Sequence, residues 1–185
     1  MLDRTPVESG HQETVQHIPG RGGPFNRPQQ LSMTRLRRDT ARVIPISPQG
    51  RALLLRGHDP EAPEISYWFT IGGEIEAAES ARRAAVLELR EETGLIVEED
   101  DLIGPVHRGT HAYSWGGKEY QSRSLFFALP LDERAIQPLG MPGEVIVEAH
   151  WWTPRDLKTA PLSSSQTPDV IKLALEAVRA GRRDC

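Results

Sequence analysis

Only one cysteine is present, Cys185 at the end of the chain, so no internal disulfide can form and no thiol nucleophile or cysteine-based zinc site is patterned. Long apolar runs are missing too. Nothing approaches the roughly 18 consecutive apolar residues of a membrane-spanning helix, and the N-terminal stretch has no apolar core of a secretion signal. A basic surplus is also absent: the formal charge is −4 and the isoelectric point is near 5.9, against the basic stripe of a nucleic-acid or membrane-surface binder. These absences predict a cytoplasmic protein with neither nucleic acid nor membrane as partner. An anionic substrate stays admissible where metal ions intervene.

With 185 residues there is room for one domain and its tails. Residues 1–38 hold Pro, Gly, Gln and Arg without hydrophobic periodicity and are expected to form a flexible tail, with a short ordered piece near Leu31–Leu36. A packing arm or a homodimer contact is the alternative for this segment. The domain is expected over residues 39–182.

What stands out is the stretch from Gly73 to Leu95. Glu88, Glu91 and Glu92 fall at i, i+3 and i+4, which puts three carboxylates on one helical face within about one turn. Like charges at that spacing repel, and oxygen-seeking divalent cations reverse the penalty. Ala81, Ala84 and Ala85 lie on the same side of the wheel and are read as a shallow strip open to ions and phosphate. Gly72 and Gly73 precede the helix and permit close backbone approach, and Gly94 is placed to end it in a left-handed conformation.

These residues, in this order, resemble the Nudix box, G-x5-E-x7-R-E-U-x-E-E-x-G-U with U a bulky aliphatic. Gly73, Glu79, Glu88, Leu89, Glu91, Glu92, Gly94 and Leu95 match, and the arginine position is Leu87. In the family that arginine orients the neighbouring glutamates through charge-assisted hydrogen bonds. Arg83, one turn earlier, is the nearest stand-in, but its wheel angle points away. The competing reading is a solvated helix whose acidic face is balanced by Arg82, Arg83 and Arg90.

Around the box, Thr40–Ser47 and Arg51–Arg56 read as a hairpin through Ser47-Pro-Gln-Gly50, followed by a polar loop from His58 to Ile65 and a strand over Ser66–Ile71. Strands are expected over Leu102–Thr110, Glu119–Ala128 and Glu144–Trp152, with a long loop over residues 129–143. Thr153-Pro154 opens a short helical turn. Thr167-Pro168 opens a final helix, about 168–180, burying Ile171, Leu173, Ala174, Leu175 and Val178. The order of elements predicts an α+β domain, and the resemblance implies a Nudix-type α/β/α sandwich with a mixed sheet.

The resemblance further implies Mg²⁺, with Mn²⁺ as substitute, and hydrolysis of a phosphoanhydride in a nucleoside diphosphate linked to another moiety. Glu91 and Glu92 are then the principal metal ligands, Glu88 a ligand or general base, and Glu79 a further ligand or structural partner. Outside the box, Glu144 and Glu148 are candidates for the catalytic base. Gly72, Gly73 and Tyr113 are assigned to the substrate, a small nucleotide conjugate; Tyr113 and Trp115 are read as lying in a Gly-rich loop, able to stack on a base or on each other. His107 and His111 are spaced four apart in a strand or loop, a poor arrangement for a shared metal. A reading of another class follows from Leu87: a Nudix-fold nucleotide-binding or regulatory module without turnover.

Overall fold

The run Ala52-Leu-Leu-Leu55 has no polar face because its strand is covered on both sides. Leu53 and Leu55 point into one core layer, Ala52 and Leu54 into the other, and all four are buried. Each such leucine contributes about 1.5–3 kcal/mol relative to exposure. In the computed structural model, which describes residues 35–139 and 145–181, this strand is an interior strand of a six-stranded mixed sheet.

The strands are β1 (Leu36–Ile46), β2 (Ala52–Asp59), β3 (Ala62–Phe69), β4 (Ile103–Trp115), β5 (Lys118–Pro130) and β6 (Val145–Trp152). Their order is β3-β2-β1-β5-β4, with β6 pairing β2. Only β1 and β5 run parallel. Helix α1 (Ala81–Thr93) packs on one face with Phe127, Leu129, Val43 and Leu55; helix α2 (Thr167–Gly181) packs on the other with Ile44, Leu54, Phe126 and Ala128. This is the α/β/α sandwich with a mixed sheet expected from the sequence. No helix among the described residues is long and apolar enough to cross a membrane.

Several elements depart from expectation. The first strand starts at Leu36, so residues 36–38 are ordered β-structure and not the end of a tail; residues 1–34 lie outside the described set. The polar stretch His58–Ile65 is no loop. It is a hairpin, β2 into β3 across Pro60-Glu61, whose polar residues suit an edge strand that exposes Pro63, Glu64 and Ile65. Tyr113 and Trp115 belong to β4, which turns into β5 through Gly116 and Gly117, both at positive φ. Leu173, expected inside, is 37% exposed, and Val170 takes an inward place on α2 instead.

Most important for the site is what β1 does at its free side. It pairs with β2 only at Ile46↔Ala52, and beyond that point the segment 71–75 takes over as its neighbour. Val43 donates to Ile71 O (2.9 Å), Ala41 to Gly73 O (3.0 Å), and Ile75 to Asp39 O (2.8 Å). The glycine pair is thereby laid along the sheet.

Candidate active site

Helix α1 begins and ends on local chemistry. Ser80 Oγ accepts from Arg83 N (3.0 Å), and Gly94, at φ 72°, donates to Arg90 O (2.8 Å). Between these caps the helix turns Ala84, Ala85, Val86, Leu89, Glu92 and Thr93 inward. The alanines are therefore not an open strip: Ala84 and Ala85 are 1% and 0% exposed and belong to the core. Small side chains there let the helix approach the sheet closely, which brings its glutamates onto the glycine pair.

The three box glutamates occupy three environments. Glu92 is buried, and its Oε2 accepts from Gly72 N at 3.0 Å, a charge-assisted bond that offsets the cost of desolvating a carboxylate. Glu88 is half-buried and lies directly against Gly73: a Cβ at that glycine would meet Glu88 Oε1 at 2.0 Å. Glu91 is exposed. Gly72 is held as tightly from the other side, since a Cβ there would meet Ala41 O at 2.1 Å.

The remaining sequence-derived residues divide. Glu79 turns its carboxylate back on its own loop and accepts from Glu76 N (3.2 Å). Glu148 pairs with Arg56 (2.7 Å); the β2–β6 register sets both on the face that carries α2, away from the α1 core layer. Glu144 lies outside the described residues. Tyr113 sits in a ladder of rings, between His111 (5.4 Å) and Tyr120 (5.2 Å), with the Arg38 guanidinium 4.7 Å above the Tyr120 ring. His107 instead faces Phe126 at 5.7 Å, so the two histidines do not share a site.

Arg82 does not balance the acidic face. It donates to the carbonyls of Glu99, Leu102 and Gly104 and lies over the Phe127 ring. Arg42 carries no signal in the sequence beyond being a cation beside the apolar run Val43-Ile44, within a strand that also holds Arg37 and Arg38. Its Nη1 donates to Thr70 O (3.1 Å) and to Gly72 O. Burial first, and the charge of Arg42 second, hold His111 below the ordinary imidazole value. The unfolded chain therefore binds this proton more readily than the folded one, and stability should fall as pH drops below about 6.5. Urea melts at about pH 7.5 and about pH 5.5 should show that fall, and His111→Gln should reduce it; an equal fall in the variant would place the titration elsewhere.

Beside the box loop opens a groove of about 570 Å³, bordered by Ile75 and Glu76 and carrying Arg108 and Arg123. Arg123 is engaged bidentately by Asp39 at 2.6 Å, which holds the Asp39 carboxyl below its usual range. Among the described residues no three His, Cys, Asp or Glu side chains are gathered tightly enough to enclose an ion by themselves. Mg²⁺ does not require that, because one or two carboxylates suffice when substrate phosphates and water complete its octahedron.

The NUDIX domain family model matches residues 36–172. No curated protein matches the sequence. Among solved structures, the MutT protein of Methanosarcina mazei Go1 superposes with a TM-score of 0.58 at 16% identity, over 81% of this chain and 99% of that one. The NUDIX domain of Shewanella oneidensis NrtR, solved with ADP ribose, gives 0.58 at 18% identity over 78% and 88%. A C. elegans Ap4A hydrolase binary complex gives 0.53 at 19% identity over 78% and 98%. At such identities these structures share the fold. The family match itself runs from the first residue of β1 into α2 and takes in the whole acidic helix, and on that ground the chain belongs to the NUDIX domain family.

Proposed function

We propose that this chain is a Mg²⁺-dependent pyrophosphohydrolase that cleaves a phosphoanhydride in a nucleoside diphosphate linked to a second moiety. One observation carries the reading: the fold seats the Glu88 carboxylate on Gly73 and bonds the Glu92 carboxylate to Gly72 N–H, while leaving Glu91 open to solvent. Glu88 and Glu91 would hold the ion, with Glu92 bracing the glycine pair through Gly72 N–H. A bound Mg²⁺ supplies Lewis acidity toward phosphoryl oxygens and acidifies water.

The chain's own groups do the rest. Arg108 is the cation on the groove beside the box loop that is proposed to meet phosphates, since Arg123 there is paired with Asp39. Glu88 is the box residue proposed to accept the water's proton, with Glu144 as the candidate from outside the box; Glu148 is committed to Arg56. The ADP ribose bound by the S. oneidensis NUDIX domain and the Ap4A hydrolase activity of the C. elegans neighbour support a nucleotide conjugate as substrate. The second reading, a nucleotide-binding module without turnover, is favoured by Leu87.

Turnover against a panel of nucleotide conjugates with Mg²⁺ and Mn²⁺ separates the two. Hydrolysis that requires the ion supports the enzyme; binding without hydrolysis supports the module. Glu92→Gln keeps the volume and an acceptor for Gly72 N–H but removes the charge, so it should weaken Mn²⁺ binding about 10–100-fold with the fold intact. Calorimetric titration measures this directly, and unchanged affinity would remove Glu92 from the metal site.

A further inference from the structure

The position from which the Nudix-box arginine would orient the glutamates is occupied by Leu87, half-buried and without a charge. A guanidinium nevertheless reaches the same glycine pair, from the sheet and not from the helix. We propose that Arg42 is the positioning residue of this site: it fixes the 70–72 segment so that Gly72 N–H holds the Glu92 carboxylate, the task that the helix leaves undone at Leu87. The inference rests on the hydrolase reading above.

Along Thr70–Gly73 each carbonyl has one identified donor. Ile71 O and Gly73 O are taken by the amides of Val43 and Ala41 in β1, while Thr70 O and Gly72 O both go to Arg42 Nη1. Strand pairing thus secures alternate carbonyls, and a single side chain secures the others. Gly72 lies between them at φ 128°, a conformation that pairing alone does not select, and its N–H points to Glu92 Oε2 at 3.0 Å. Loss of the guanidinium would release both carbonyls at once, and with them the direction of the Gly72 amide. Arg42 acts through the Gly72 backbone, and the two N–H groups of its planar Nη1, fixed in direction, suit two carbonyl acceptors better than a rotating ammonium would.

The test uses the full chain and four variants: Arg42→Met, Arg42→Lys, Leu87→Arg, and the double variant Arg42→Met/Leu87→Arg. Arg42→Met keeps most of the stem, so its melting temperature is expected near wild type. Hydrogen exchange at the Gly72 amide should quicken at least about tenfold, and Mn²⁺ affinity should fall about 10–100-fold. Turnover should fall through kcat with little change in KM, the signature of a group needed in the transition state. Arg42→Lys, which retains a cationic donor, should lie between wild type and Arg42→Met. Adding Leu87→Arg should return part of the lost affinity in the Arg42→Met background and less in wild type, because the two arginines would serve one end.

A folded Arg42→Met with wild-type Gly72 exchange, Mn²⁺ affinity and kcat would overturn the assignment while leaving the hydrolase reading intact. Should Arg42→Met fail to fold, Arg42→Lys decides: wild-type values on all three measures in that variant would overturn it too. If wild type neither binds Mn²⁺ nor hydrolyses any conjugate, the hydrolase reading falls and the positioning role falls with it.

Discussion

Gly72→Ala is expected to destabilise the domain by about 3–5 kcal/mol, a large share of the roughly 5–15 kcal/mol available to a domain. The methyl group would stand 2.1 Å from Ala41 O and 2.9 Å from Arg42 Cα, both backbone atoms of a strand paired along its length with β5. Neither can withdraw. The residue also sits at φ 128°, outside the regions open to an L side chain, which alone costs about 1–3 kcal/mol. Relief would require the 70–73 segment to leave β1, undoing the bonds from Val43 and Ala41 and the Gly72 N–H bond to buried Glu92. Denaturant unfolding measures the loss. A stability within about 1 kcal/mol of wild type would mean that the glycine pair is less confined than the structure indicates.

The neighbouring substitution is expected to behave in the opposite way. In Gly73→Ala the new Cβ would meet not backbone but the far end of a side chain, Glu88 Oε1 at 2.0 Å and Cδ at 2.5 Å. A glutamate can swing aside at the expense of a rotamer change, so the fold should survive with its melting temperature nearly unchanged. The carboxylate, however, would leave its seat by an ångström or more. Misplacement on that scale commonly reduces turnover about 10²-fold. Steady-state kinetics on whichever conjugate wild type hydrolyses, together with the melting temperature, tests the claim. Full activity in a stable Gly73→Ala would show that the position of Glu88 does not matter to the reaction. The pair of variants also separates the two glycines: one is required by the backbone, the other by a carboxylate.

The NrtR neighbour and the Ap4A hydrolase neighbour show how one fold accommodates proteins of different description, so fold alone does not choose between turnover and recognition here. The choice turns on the glutamates and what orients them. That is why Leu87 and Arg42 carry more weight than the rest of the surface.

Local spacing was enough to place the acidic helix with its Gly94 terminus, the glycine pair before it and the closing helix from Thr167, because caps, turns and a 3.6-residue period act over a few residues. The same spacing also put Glu88 and Glu92 on one side. It did not say which way that side faces. Ala84 and Ala85 read equally well as an open strip or as a tight seam, and only the sheet beneath decides for the seam. The β2–β3 hairpin was hidden because an exposed edge strand with Pro63 and Glu64 has the composition of a loop. Glu148 was separated from the box glutamates by pairing register, with a shift between Arg56 and Gly57, and register is a relation between distant segments. Arg42 is the sharpest instance: thirty positions before Gly72 in the chain, its guanidinium meets that glycine's carbonyl only because the 71–75 segment replaces β2 as the neighbour of β1.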